Sequence, residues 1–110
     1  MGVFEFQETP RIASLSTTYI QCVVSTTESG LPSNPTTGTV EFAFLTTEGN
    51  PIESNWLAGS WETASDTYWA RFLVGPSGTY NLPVGTYRVW VRIKKGIETV
   101  VDRAGALTIY

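Results

Sequence analysis

The sequence contains no histidine and one cysteine, Cys22, among its 110 residues. Without histidine the chain lacks the most common general base, the Ser-His and Cys-His catalytic arrangements and the most common zinc ligand. A single cysteine excludes an intrachain disulfide and a cysteine-rich metal site. There is no phosphate-binding glycine loop, no EF-hand calcium loop, and no pattern that marks two of the ten acidic residues as a catalytic pair. We therefore expect no enzymatic activity, no metal and no cofactor.

Charged residues are also scarce, at 15% of the chain, and the net charge is −3. A nucleic-acid-binding domain usually carries a concentrated basic patch, which seven lysines and arginines spread along the chain do not provide. No apolar run approaches the roughly 20 residues of a membrane-spanning helix. The first ten residues, MGVFEFQETP, have neither the basic patch nor the apolar core of a signal peptide. We expect a protein made in the cytoplasm that binds neither nucleic acid nor membrane.

Turn-forming residues divide the chain at short intervals, as in ESGLPSNPTTG (residues 28–38), EGNP (48–51), GPSG (75–78) and LPVG (82–85). The runs between them are rich in threonine, valine and aromatic residues and alternate between apolar and polar positions, which is typical of β-strands. The pattern predicts an all-β fold, an immunoglobulin-like β-sandwich of about seven antiparallel strands. The predicted strands cover residues 10–16, 17–26, 38–47, 54–63, 66–75, 85–94 and 97–110.

The segment at residues 63–74 has two interpretations. Trp69, Phe72 and Leu73 stand at helical spacing, and Gly75 would end such a helix. Alternation between Tyr68 and Phe72 fits a strand equally well. The all-β pattern of the rest of the chain favours the strand.

The sixth predicted strand contains TYRVWVRI (residues 86–93), which alternates strictly. Its apolar side chains are predicted to face the core, and Arg88, Trp90 and Arg92 to face outward. Because histidine, metal ligands and phosphate loops are missing, this outward row is the best candidate for a contact surface. The alternative is a solvated face on which Glu98 and Asp102 of the next strand neutralise the arginines.

LPVGTYRV (residues 82–89) resembles the entry to the sixth strand of immunoglobulin-like folds. There the hydroxyl of a corner tyrosine bonds back to the turn backbone, a role that falls to Tyr87. Cys22 and Val89 take the places of the two cysteines found in antibody domains. The third strand has no tryptophan, and Phe42 is predicted to fill the core instead.

Four tryptophans are many for this length. Trp56 or Trp61 is expected to close one end or edge of the core, because a buried indole supplies a large apolar area. Trp69 and Trp90 face outward, and Arg71 stands two residues from Trp69. Three interpretations of these side chains stay open: cross-strand packing with arginines stacked on the indoles, a protein contact surface, or a platform for sugar rings.

Residues 1–9 are interpreted as an N-terminal arm attached to the sandwich domain at residues 10–110. Phe4 and Phe6 make this arm too apolar for a free tail. It either folds back as an edge strand of its own chain or adds a strand to a neighbouring subunit. Both alternatives stay open, and the two phenylalanines are candidate contact residues.

LPVGTYRVWVRIKKGIETVVDRAGALTIY (residues 82–110) resembles the C-terminal half of small immunoglobulin-like proteins encoded among the virion genes of tailed bacteriophages and prophages of actinobacteria. The shared features are a Pro/Gly turn, Gly-x-Tyr-x-Val-Trp-Val-Arg, a short hairpin and a Val-x-x-Ala-Gly-x-Leu-x-Ile ending. The resemblance is strong over this last part of the chain and rests on strand pattern alone elsewhere.

The resemblance implies a non-enzymatic structural protein of the virion, synthesised in the cytoplasm of a bacterial host. It would decorate the capsid, sit at the head-to-tail connector or belong to the tail. Its partners would be other virion proteins, and it would be present in multiple copies or as a homo-oligomer. The alternative function is a carbohydrate-binding module that attaches to host glycans through exposed tryptophans.

Overall fold

The computed structural model describes residues 3–6, 10–28, 31–65 and 67–110. Within these ranges the chain forms ten β-strands and two short 3₁₀ turns, Pro35–Thr37 and Glu53–Asn55, so the predicted all-β class is confirmed. The strands are β1 (Val3–Phe6), β2 (Arg11–Ile12), β3 (Thr18–Glu28), β4 (Leu31–Ser33), β5 (Thr39–Leu45), β6 (Leu57–Ala58), β7 (Ser60–Ala64), β8 (Thr67–Val74), β9 (Gly85–Lys95) and β10 (Glu98–Ile109). The described residues contain no helix long and apolar enough to cross a membrane.

The strands form two sheets that share one core, as predicted for a sandwich. The first sheet has the order β1-β3-β8-β7, with β4 also paired to β3, and the second has the order β2-β10-β9-β5-β6. All pairings are antiparallel except that of β2 with β10, which is parallel over two residues. The predicted antiparallel arrangement is found in every other pair of strands that the structure describes.

Each of the seven predicted strands overlaps an observed one, and the uncertain segment at residues 63–74 is a strand where β8 runs. The predicted fourth strand is corrected, because it divides at Gly59 into β6 in the second sheet and β7 in the first. A Cβ atom on residue 59 would lie 2.8 Å from the ring of Phe42 and 2.9 Å from the carbonyl oxygen of Arg71. Only glycine leaves room for the chain to cross between the sheets here.

The alternation of inward and outward side chains along the strands determines which residues form the core. Side chains from both sheets are buried in one cluster, at whose centre Phe42 and Phe72 pack with ring centroids 5.6 Å apart. Cys22 and Val89 are fully buried in the same cluster. Trp61 closes one edge, since its indole packs on the core and its Nε1 donates a 3.0 Å hydrogen bond to the carbonyl oxygen of Gly38. Trp61 is thus the edge-closing tryptophan of the two that the sequence proposed.

The predicted tyrosine corner is present. The hydroxyl of Tyr87 donates a hydrogen bond of 2.5 Å to the carbonyl oxygen of Pro83 in the preceding turn. The bond connects the start of β9 to the turn before it. The apolar row of this strand is buried as predicted, and comprises Tyr87, Val89, Val91 and Ile93.

The N-terminal segment folds back on its own chain. Val3–Phe6 forms the edge strand β1, antiparallel to β3, with Phe4 opposite Val24 and Phe6 opposite Cys22. The described part of the arm thus follows the first of the two alternatives. The side chains of Phe4 and Phe6 lie outside the part of the chain that the structure describes.

Candidate interaction surface on the second sheet

The predicted outward row lies on the outer face of the second sheet. We call Arg88, Trp90 and Arg92 the outer row. Their register partners on β5 are Leu45, Ala43 and Glu41, and those on β10 are Ala106, Arg103 and Val101. Directly opposed residues of antiparallel strands point to the same side of a sheet. The outer row is therefore the centre of a three-strand surface built by β5, β9 and β10.

Arg92 is buried within this surface. Its Nε donates to Glu41 at 2.9 Å, and its Nη1 and Nη2 donate to the two carboxylate oxygens of Glu53 at 3.0 and 2.9 Å. The guanidinium also lies 4.7 Å from the ring centroid of Trp56. Only 8% of the Arg92 side chain is exposed. Arg92 lies on the predicted outer face, but its side chain is largely covered because it binds two carboxylates and contacts an indole.

The charges of this cluster reinforce one another. The hydrogen bond from Arg92 is the main cause that lowers the pKa of Glu53, and the charges of Arg92 and Lys94 add to it. The hydrogen bonds to Glu53 and Glu41 raise the pKa of Arg92 in turn, against the effect of its burial. Both groups are therefore ionised at neutral pH, and the bidentate geometry is the strong form of an arginine–carboxylate pair.

Arg88 is bound by the same connection between β5 and β6 that supplies Glu53 to Arg92. Its Nη2 donates to Glu48 at 2.6 Å and its Nη1 donates to the carbonyl oxygen of Thr46 at 3.2 Å. Residues 46–56, which connect β5 to β6, thus bind Arg88 through Glu48 and Arg92 through Glu53. We call residues 46–56 the strap, because they are attached to the outer row on both sides of Trp90.

Trp90 is partly buried between the two arginines. Its Nε1 is buried and finds no hydrogen-bond acceptor among the described residues. Its register partner Ala43 is completely buried although it belongs to the outer face.

The acidic partners of the arginines are not those that the sequence suggested. Asp102 stands opposite Val91 and Glu98 opposite Lys95, so both belong to the other side of the sheet from the outer row. The carboxylates that bind the arginines instead come from β5 and the strap. The alternative in which Glu98 and Asp102 neutralise the arginines of the outer row is therefore wrong. It considered which strands are neighbours, but not which residues stand opposite each other.

Trp69 and Arg71 lie on the outer face of the first sheet. Arg71 stacks 3.6 Å from the ring centroid of Tyr19 and donates to Glu62 at 2.9 Å. The arginines therefore stack on Tyr19 and Trp56, not on the neighbouring indoles as the packing interpretation had it. Since Trp69 and Trp90 belong to different sheets and are both partly buried, they do not form one platform.

The side of the second sheet next to β10 is more accessible. Arg103, opposite Trp90, is exposed, and Val101, opposite Arg92, is 46% exposed. Among the described residues no strand pairs with the outer edge of β10 before Thr108. This part of the edge is therefore unpaired although β1 lies near β10, and an unpaired strand edge is what β-strand addition uses.

The remaining chemistry of the described residues is limited. No group of three or more His, Cys, Asp or Glu side chains is placed to hold a metal ion. Burial raises the pKa of the Cys22 thiol to about 12, so it is not a nucleophile at neutral pH. The surface on the second sheet offers cationic, aromatic and backbone hydrogen-bonding groups.

Sequence reasoning placed the outer row on the correct face and missed Glu53 and Trp56, which complete it. No local pattern connects Glu53 to Arg92, since 39 residues separate them in the chain.

Comparison with models of known protein families gives no match, and comparison with curated protein sequences gives none.

Proposed function

We propose that the chain is a non-enzymatic structural component of a tailed-phage virion, which binds a neighbouring virion protein through the outer face of its second sheet. The observation that supports this proposal is the surface formed by Arg88, Trp90 and Arg103 beside the unpaired edge of β10. Arginine and tryptophan are the residues most enriched among those that dominate binding energy at protein interfaces. Such a surface is unusual in a chain with only 15% charged residues.

The virion setting rests on the resemblance of residues 82–110 to small immunoglobulin-like virion proteins. Capsid decoration, a place at the head-to-tail connector and a tail accessory role are all compatible with a single sandwich domain. In each of these the protein is present in several copies and contacts other virion proteins.

The test is quantitative mass spectrometry of purified particles from the host that encodes the chain. We expect the chain at a constant ratio to the major capsid protein across independent preparations and after a high-salt wash. A chain that is absent, or whose ratio falls with each purification step, would contradict the proposal.

A charge reversal identifies the surface. Arg103→Glu should reduce incorporation into particles, because it places a negative charge on the proposed contact surface. Arg11→Glu is the matched control, since it makes the same charge change at an exposed position of β2. Incorporation of both variants at the wild-type level would contradict a contact at Arg103.

The glycan alternative receives less support. Sugar platforms need exposed aromatic rings, and the two outward tryptophans lie partly buried on different sheets. One glycan therefore has no pair of coplanar indoles on which to stack.

A further inference from the structure

The strap lies over the surface for which we propose a binding function. It leaves β5 after Leu45, binds Arg88 through Glu48 and Thr46, and binds Arg92 through Glu53. The side chains of Glu48 and Glu53 are nevertheless 85% and 80% exposed. Both carboxylates therefore rest on the arginines from the solvent side, and neither is built into the core.

We propose that the strap occupies a site for an acidic extended segment of a partner protein, and that this segment displaces the strap to bind the outer row. The inference rests on the proposed function, because it specifies the chemistry of the partner for the same surface. Glu48 and Glu53 then stand in for two carboxylates of the partner.

Charge and spacing favour such a segment. Arg88 and Arg92 are four residues apart in β9, which separates them by about 13 Å along the strand. A segment that places two carboxylates at this separation satisfies both guanidinium groups at once. Glu41 keeps its bond to Arg92 Nε throughout, so Arg92 stays oriented when Glu53 leaves.

The indole Nε1 of Trp90 gives a partner segment an advantage over the strap, because it is a hydrogen-bond donor that the strap leaves unpaired. Its Nε1 is buried and unpaired among the described residues while the strap is closed. A buried donor without an acceptor is unfavourable. A partner segment whose carbonyl or carboxylate reaches this donor makes a hydrogen bond that the strap does not make.

The strap can leave without disrupting the core. Its attachments to the outer row are two ion pairs with exposed carboxylates, the hydrogen bond from Arg88 to the Thr46 carbonyl and the contact of Trp56 with Arg92, and none of these groups belongs to the core cluster. The residues between those attachments include Gly49, at a φ of 111° with open space around it, and Pro51. Its departure would break no pairing between strands, because it lies between β5 and β6.

The experiment uses the full chain and a fluorescent peptide, TTEGNPIESNW, which has the strap sequence (residues 46–56). Glu48→Gln with Glu53→Gln in the protein should release its own strap, seen as faster hydrogen–deuterium exchange at residues 46–56. Fluorescence anisotropy should then show peptide binding at least about tenfold tighter than to the wild type, whose strap competes for the site.

Two matched variants identify the recognised groups. The same peptide carrying Glu48→Gln and Glu53→Gln should lose binding, since it keeps the backbone and loses the charges. Adding Arg88→Gln to the released protein should weaken binding of the acidic peptide. Arg88 is preferable to Arg92 here because its side chain is 30% exposed and its loss leaves the buried cluster intact.

Three results would overturn the inference: unchanged exchange in the strap of the double variant, equal peptide affinity for wild type and double variant, or tighter binding of a single-stranded oligonucleotide than of the peptide. These outcomes are separable from failure of the proposed function. If the chain is stoichiometric in particles but the peptide does not bind, only the acidic-segment inference fails. If the peptide binds but particles lack the chain, the virion role fails and the binding site stands.

Discussion

The hydroxyl of Tyr87, near the start of β9, donates a hydrogen bond of 2.5 Å to the carbonyl oxygen of Pro83 in the preceding turn. Burial is the main cause that raises the pKa of Tyr87, and the nearby Tyr80 adds to it. The hydroxyl therefore keeps its proton and remains a donor throughout the neutral range. This bond holds β9 at a fixed rotation relative to the core.

Tyr87→Phe removes that donor and leaves the Pro83 carbonyl without its partner. We expect the free energy of unfolding to fall by about 1–2 kcal/mol, measured by urea denaturation. Tyr110→Phe is the control, because Tyr110 is exposed and its ring, which Arg11 contacts, is retained. Equal stability of the two variants would show that the corner bond does not contribute.

Phe42 is the centre of the aromatic core, with no exposed surface and with Phe44 and Phe72 at centroid distances of 6.3 and 5.6 Å. Phe42→Ala should lower the free energy of unfolding by about 3–5 kcal/mol, since it removes buried apolar surface and leaves a cavity. Ile97→Ala, at the fully exposed turn between β9 and β10, should change it by less than about 0.5 kcal/mol. Thermal unfolding monitored by circular dichroism provides the comparison.

Gly75 ends β8 with a φ of 131°, and a Cβ there would collide with the backbone of Ser16 and Thr17. Gly49 has a φ of 111° and nothing near the position of a Cβ. Gly49→Ala should therefore cost about 1–3 kcal/mol through backbone strain alone. Gly75→Ala should cost about 1–3 kcal/mol more, through the additional clash. Similar denaturation midpoints for the two variants would contradict the close packing at Gly75.

The Arg92–Glu53 pair predicts a pH dependence. Because the pKa of Glu53 is lowered in the folded state, mainly by the hydrogen bond from Arg92, the pair stabilises the fold above the ordinary glutamate pKa of about 4.3. This contribution is lost as the pH falls through the lowered pKa. Glu53→Gln should thus be less stable than the wild type at pH 7, with a difference that shrinks at lower pH.

Urea titrations over a series of pH values measure that difference directly. Glu41 and Lys94 also face this pair, and both are retained in the variant. Glu98→Gln serves as the control, since Glu98 is exposed and makes no ion pair within the described part of the chain. A wild-type advantage over Glu53→Gln that stays constant with pH would contradict the assignment.

The fold was predictable from local pattern because each strand decides its own faces. In β9 strict alternation predicted the buried row correctly, and the Gly-x-Tyr turn predicted the bond made by Tyr87. The crossing at Gly59 was not predictable, since the requirement for glycine comes from Phe42 and Arg71 on other strands. The less regular run at residues 54–63 was therefore interpreted as one strand where there are two.

The position of the candidate surface in the fold could be predicted, but the burial of its side chains could not. Alternation placed Arg92 on the outer face, and it is there. Its burial depends on Glu53 and Trp56, which reach it through a connection whose path alternation does not describe. Periodicity predicts the face of the sheet to which a side chain points. The burial of that side chain depends on segments that are distant in the sequence.

The buried thiol of Cys22 has a practical consequence for spectroscopy. It has no exposed surface, and its pKa of about 12 leaves almost no thiolate at pH 8. Because the sequence has no other cysteine, a cysteine introduced at Ile97 would be the one thiol that a maleimide reaches in the folded protein. A dye or spin label can thus be attached at a single known site of the otherwise native chain, which allows its distance to neighbours in an assembly to be measured.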